Sequence, residues 1–236
     1  MIVNGLQDFQ LEHIITAIGG LGAAAFGLVE AAKSVPYFHI NDIGFSHIEQ
    51  VISSVTPEGG SAGRPLNSLR QANILENLRA NWVNGTDLAS QKSIAKSLIK
   101  LHLSESSAAE VAARTNVDPD LLSAVAAKMA GSTALSQPES DAYARFDLIV
   151  TALLDEAYQL SDQKFRNGMR SLAAAVAVML ALAGAWSLDG TERLFWHRDL
   201  VAAFIVGLLA TPLAPIAKDL STALATAVNT MQLVKK

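Results

Sequence analysis

SLAAAVAVMLALAGAWSL, residues 171–188, runs for eighteen residues without a charge. A helix of that length reaches ~27 Å against a hydrocarbon core of about 30 Å, and local thinning of the bilayer closes the gap. The run that feeds it begins at Ser136-Gln137-Pro138 and meets no helix breaker before Gly168. The pattern predicts one helix from about 138 to 188, with 138–170 as a stalk and 171–188 as a membrane span.

Two further apolar segments flank this helix. LVAAFIVGLLATPLAPIA, 200–217, is also eighteen residues long and uncharged. The linker DGTERLFWHRD, 189–199, opens on the turn signal Asp189-Gly190, and Trp186, Phe195 and Trp196 stand where an aromatic belt belongs. Residues 171–217 therefore read as a transmembrane helical hairpin. IITAIGGLGAAAFGLV, 14–29, has sixteen uncharged residues; 1–34 reads as an N-terminal transmembrane segment, with an interfacial or buried core helix as the alternative for this shorter run. Its acidic flank, Asp8 and Glu12, and the absence of a basic n-region argue against a secretory signal.

Basic residues near the span ends set the orientation. Lys33 follows the first span, Lys164, Arg166 and Arg170 precede the second, and Lys218, Lys235 and Lys236 follow the third. The expected topology is N-terminus outside and C-terminus cytoplasmic, in a bacterial inner membrane. In topology alone this layout is similar to that of some phage holins, with no motif shared.

The averages fit a divided chain. Of 236 residues, 50% are hydrophobic and 17% charged, against about 25% charged in ordinary soluble domains. The mean hydropathy is +0.29, yet residues 34–169 are ordinarily polar and the apolar excess sits at the two ends. The net charge of -4 excludes the basic footprint of a dedicated nucleic-acid binder. With no cysteine, disulfides, thiolate metal sites and cysteine nucleophiles are excluded.

Between the first two spans the sequence predicts a cytoplasmic helical domain, 35–137. Ser46 and Glu49 have the spacing of a capping box, and PEGGSAGRP at 57–65 is a break. Leu69, Ala72, Leu75, Leu78 and Trp82 recur at helical spacing up to a stop at Gly85. Asp87 caps the next helix, Ser104-Glu105-Ser106 and Asp118-Pro119 start two short ones, and Gly131 closes the second of these. Those two resemble a helix-turn-helix superficially, but Asp118 and Asp120 sit where a groove reader tolerates few acids, so a plain helical hairpin is expected. No β-pattern competes. The fold class is an all-α membrane protein: three transmembrane helices, a helical domain between the first and second, and a stalk helix running into the second span.

Small residues mark the spans. Gly19, Ala23, Gly27 and Ala31 recur every fourth residue, widened by Gly20 and Ala24, and Ala173, Ala177, Ala181 and Ala185 repeat the device. Helices in lipid associate by close backbone packing, which small residues permit, so these are expected helix-packing or oligomerisation faces. Pro212 and Pro215 free backbone carbonyls that must find protein or water partners. With Lys218 and Asp219 beyond them, they predict a kink that either turns the chain onto the membrane surface or lines a pore mouth. Residues 218–236 continue as an amphipathic half-helix. Lys92, Lys96 and Lys100 form a basic stripe opposite Ile94, Leu98 and Leu101, available to anionic lipid or a partner, or simply solvated.

Chemistry is sparse. His39, Asp42, His47 and Glu49 are the one local cluster of metal-ligand types. No nucleotide or nucleophile motif occurs, and Asp147, Asp155, Glu156 and Asp162 read as a solvated face of the stalk. No catalysis, cofactor or metal is expected, nor a nucleic-acid partner. The expected function is an oligomeric membrane protein forming a pore or the membrane base of a larger assembly. The alternative is a monomeric membrane-anchored adaptor whose cytoplasmic domain recruits a soluble protein. Membrane lipid and further copies of the chain are the expected partners.

Overall fold

The structure, a computed structural model, describes residues 11–33, 35, 40–57, 70–189 and 201–212. Pro215, Lys218, Asp219 and the half-helix expected at 218–236 lie outside the described residues, as do His39 and Leu69. The described chain is helical, without a strand. Its elements are α1 (Leu11–Lys33), a 3-10 turn (Ile40–Asp42), α2 (Ser46–Val55), α3 (Gln71–Val83), α4 (Leu88–His102), α5 (Glu105–Thr115), α6 (Pro119–Ala130), α7 (Gln137–Asp189) and α8 (Val201–Pro212).

The chain divides into two compact units, one of residues 1–40 with 166–236 and the other of residues 41–165. α7 contributes to both. It is a single helix of 53 residues, because its interior holds no proline and only two glycines, Gly168 and Gly184, each of which a helix tolerates at a cost of about 1 kcal/mol. Among the described residues it is the one helix long and apolar enough to cross a membrane by length and composition, and only 17% of its most apolar window is buried.

The central unit, 41–165, is a helical domain with a conventional core. The first half of α7 runs through it as a stripe of Ala142, Phe146, Val150, Leu154 and Tyr158, all buried. Around that stripe pack Ile48, Ile52 and Val55 of α2, Ile74 and Leu78 of α3, Ala95 and Ile99 of α4, Val111 and Ala112 of α5, and Leu122 of α6. Residues 138–165, most of the segment read as a stalk, form core wall on one side.

Helix ends follow local chemistry in most places. Asp87 caps α4 by accepting from the Ser90 N–H. Asp118 accepts from the N–H groups of Asp120 and Leu121, with Pro119 in the first turn and Gly131 closing α6. Ser104 forms a reciprocal cap with Ser107. The α5–α6 pair joins through Asn116 in the left-handed region, φ 50°, followed by buried Val117, and this is a plain helical hairpin.

Three expectations need correction. The Ser46–Glu49 capping box does not form, because the N-cap is Phe45, already in a helical conformation and without a side-chain bond. A turn of Ile43, Gly44 and Phe45 joins the 3-10 helix to α2, and main-chain carbonyls serve the early donors: the His47 N–H donates to Gly44 and the Glu49 N–H to Phe45. The α3 core face is Ile74, Leu78 and Trp82, while Ala72 is exposed and Leu75 only half-buried. Steps of three residues rotate backward about 60° each, so the series 69–72–75 walks off the face that 74–78–82 holds. On α4 the buried residues are Gln91, Ala95 and Ile99, and Leu101, expected on the apolar face, is 65% exposed.

Candidate functional site

The sequence features assigned to packing and pore formation fall in the unit of 1–40 with 166–236. Its core consists of small residues: Ala25 of α1, Ala177 of α7 and Ala210 of α8, bordered by Ile18, Leu21, Val176 and Leu180. Ala173 is buried with Ala177, and Ala181 is half-buried. On α8, Ala203, Gly207 and Ala210 line the inner face. At Gly207 an added Cβ would lie 2.5 Å from the Val178 Cα. Two helix backbones are therefore in direct apposition, the close approach that small residues allow.

The repeat on α1 divides between inside and outside. Gly19 is buried, together with Gly22, Ala25 and Val29, whereas Gly20, Ala23, Ala24 and Gly27 are exposed. A Cβ added at Gly20 or Gly27 would meet nothing within 4 Å. The α7 alanines are occupied by contacts inside this unit, and most of the α1 repeat is not. Pro212 stands exposed as the last described residue of α8.

Val29 and Met169 are buried in this unit, but many of its other large apolar side chains are exposed. Leu28 on α1, Met179 and Trp186 on α7, and Val201, Phe204, Ile205, Leu208 and Leu209 on α8 are each about half exposed or more. Large exposed apolar surfaces mark protein–protein or membrane contact sites.

The lysine stripe belongs to the central unit and is paired within it. The Lys92 ammonium donates to Asp155 at 2.6 Å and that of Lys96 to Asp147 at 2.7 Å, and Lys100 also pairs with Asp147. Burial acts to push the Asp147 carboxyl up, but the hydrogen bonds from Lys100 and Lys96 outweigh it and hold the group below the usual carboxylate range. Burial acts equally to lower the Lys100 ammonium, and the bond to Asp147 together with the neighbouring Tyr143 leaves it raised; the Lys100 Nζ stands 5.4 Å from that ring. The stripe and two acids of the expected solvated face thus form a seam joining α4 to α7. A second latch joins α6 to α7: Lys128 donates to Glu139 at 2.7 Å and the Ser136 N–H at 2.6 Å. Those bonds hold the Glu139 carboxyl down at about 2.

Of the metal-ligand types near the N-terminus, Asp42 and Glu49 approach the Arg79 guanidinium at 3.9 and 3.6 Å. That guanidinium also lies 5.1 Å over the Phe45 ring. Among the described residues no group of histidine and carboxylate side chains is arranged to hold a metal ion. Neither the stripe's acidic partners nor Arg79 carries a local signal, since each contact joins separate helices. Compared with models of protein families, with curated proteins and with solved structures, the chain matches none.

Proposed function

We propose that the chain is an oligomeric integral membrane protein forming the membrane base of a larger assembly. The unit of 1–40 with 166–236 lies in the bilayer, and the helical unit of 41–165 is displayed in the cytoplasm. The observation that carries this reading is the sorting in the first unit: alanines at the centre of the core, with Leu28, Met179, Phe204, Ile205, Leu208 and Leu209 exposed. In lipid that sorting costs nothing, because the hydrocarbon solvates large apolar side chains while small ones let helices pack. In this reading α1, whose 23 residues extend ~35 Å, is the first of three spans on length alone. The exposed Gly20–Ala23–Gly27 face is the surface through which copies join. The membrane is a bacterial inner membrane, with the N-terminus outside and the C-terminus cytoplasmic.

The test is the oligomeric mass in nanodiscs. Gly20→Leu with Gly27→Leu has room within one protomer and blocks close approach by another, so it should reduce an oligomer to a monomer without unfolding it. A wild-type monomer would sink the assembly reading and leave a second one, the monomeric anchored adaptor. That second reading is favoured by the burial of Ala173 and Ala177 within one chain. Conductance by the reconstituted oligomer would instead make the base a pore. A tag at the C-terminus should be protected in sealed right-side-out vesicles and one at residue 191 accessible; the reverse would overturn the orientation.

A further inference from the structure

Three polar atoms of the central unit are buried and make no hydrogen bond: the Trp82 Nε1, the Tyr158 hydroxyl and the Ser161 hydroxyl. Trp82 is 9% exposed, Tyr158 1% and Ser161 0%. The indole of Trp82 lies 6.5 Å from the Tyr158 ring and 6.0 Å from the Phe165 ring, centroid to centroid. Tyr158, Ser161 and Phe165 are successive members of one face of α7, spaced by three and four residues, so Ser161 stands on the strip that the indole covers. The backbone of the Gly44 turn closes the same strip. Gly44 has φ +93°, and a Cβ there would collide with the Ser161 carbonyl oxygen, so the turn backbone lies directly against α7.

The chemistry of the three groups is complementary to one small ligand. An indole N–H only donates, whereas each hydroxyl both donates and accepts. A helical serine ordinarily satisfies itself on the carbonyl one turn back, yet Ser161 makes no such bond. A buried polar group left without any partner loses its hydration uncompensated, and this junction holds one indole N–H and two hydroxyls in that state. Burial also raises the Tyr158 phenol, keeping it neutral and able to donate.

We propose that the junction of α3, α7 and the Gly44 turn is a binding site for one ordered water molecule, which accepts from the Trp82 Nε1–H and exchanges hydrogen bonds with the Tyr158 and Ser161 hydroxyls. Buried waters typically make about three hydrogen bonds, the number available here. The bridge ties α3 to α7 and positions Trp82 against the strip.

The sign of a stability change tests this in the full-length protein in detergent. Tyr158→Phe and Ser161→Ala remove one hydroxyl each and leave the packing in place. If each hydroxyl holds water, both variants lower the thermal midpoint, read by near-ultraviolet circular dichroism, by roughly 2–4 °C. Hydroxyls with no partner would give midpoints unchanged or raised, because their removal relieves a desolvation penalty, and that result overturns the proposal. A high-resolution density map separates the remaining case. A peak about 2.7–3.2 Å from all three atoms supports the bridge; side chains bonded directly to one another without a peak overturn it.

Discussion

The two units of this chain bury opposite kinds of side chain. In the unit of 41–165 the fully buried residues include Phe45, Ile48, Ile52, Leu78, Phe146, Leu154 and Tyr158. In the unit of 1–40 with 166–236 the core is Ala25, Ala177 and Ala210, with Phe204, Ile205, Leu208 and Leu209 facing out. α7 takes part in both and changes character along its length, from Phe146, Val150 and Leu154 on its inner face to Ala173 and Ala177. If the first unit lies in the bilayer as proposed, the difference is one of solvent. Where burial of large apolar groups drives packing, volume fills the inside; where the surroundings are themselves apolar, backbone proximity decides and volume moves outward.

The difference can be broken most forcefully by exchanging the two kinds of residue. Phe146→Ala should destabilise the central unit by about 3–5 kcal/mol, since it removes a fully buried ring and leaves a cavity. The same large-to-small change at Leu208, half exposed on α8, should leave the fold unaltered in detergent. Thermal unfolding of both variants checks the pair, and equal losses would mean that the two cores follow one rule.

The converse change is the next largest. Gly207→Ala places a methyl against the Val178 backbone and should destabilise the α7–α8 contact by about 1–3 kcal/mol. Gly184→Ala, where an added Cβ meets nothing within 4 Å, should be neutral or stabilising by up to about 1 kcal/mol through helix propensity. Resistance to unfolding by a denaturing detergent reads both. A tolerant Gly207 would show that α7 and α8 do not rely on close backbone approach.

Legibility differed between the units in the same physical way. Helix ends in the central unit were readable because a cap is a local event: Asp87, Ser104 and Asp118 each bond an N–H within three residues. The length of α7 was readable because no breaker interrupts it. Helix faces were less so. Ile74 rather than Ala72 turns inward on α3 because neighbouring helices select among apolar residues that periodicity leaves equivalent. The acids facing Lys92 and Lys96 lie 63 and 51 residues away, and no window of sequence shows them together. In the α1 repeat, spacing identified small residues but not which way each faces; Gly19 turns in, whereas Ala23 and Gly27 do not.

The α4–α7 seam gives a smaller, purely central effect. Asp147→Asn leaves Lys96 and Lys100 without their shared acid and should cost about 1 kcal/mol, because the pair is roughly a third exposed and solvent screens it. Asp155→Asn, whose carboxylate is 44% exposed, should cost less. Both differences should shrink as salt is added. A loss at Asp147 that ignores salt would assign its role to packing, and would make the central unit less different from an ordinary apolar core than its charged seam implies.

The smallest effect is a pH dependence confined to the central unit. Hydrogen bonds from Lys128 and the Ser136 N–H hold the Glu139 carboxyl at about 2 in the folded chain, against an ordinary value of 4.5. The folded state therefore binds this proton less readily than the unfolded one, so its stabilising contribution is complete above about pH 4.5. It is lost progressively as the pH falls from there toward 2, and below both values it is gone. Glu139→Gln keeps an acceptor for Ser136 but cannot carry the charge that Lys128 pairs with. Its midpoint should lie below that of the wild type near neutral pH, with the gap closing between about pH 4.5 and 2. The outward face of α8 has no ionisable group among its described residues, so helical signal lost from that unit should not follow the same titration. A gap that stays constant with pH would mean that Glu139 acts through its cap geometry alone, and that the charge on the α6–α7 latch contributes nothing to what sets the two units apart.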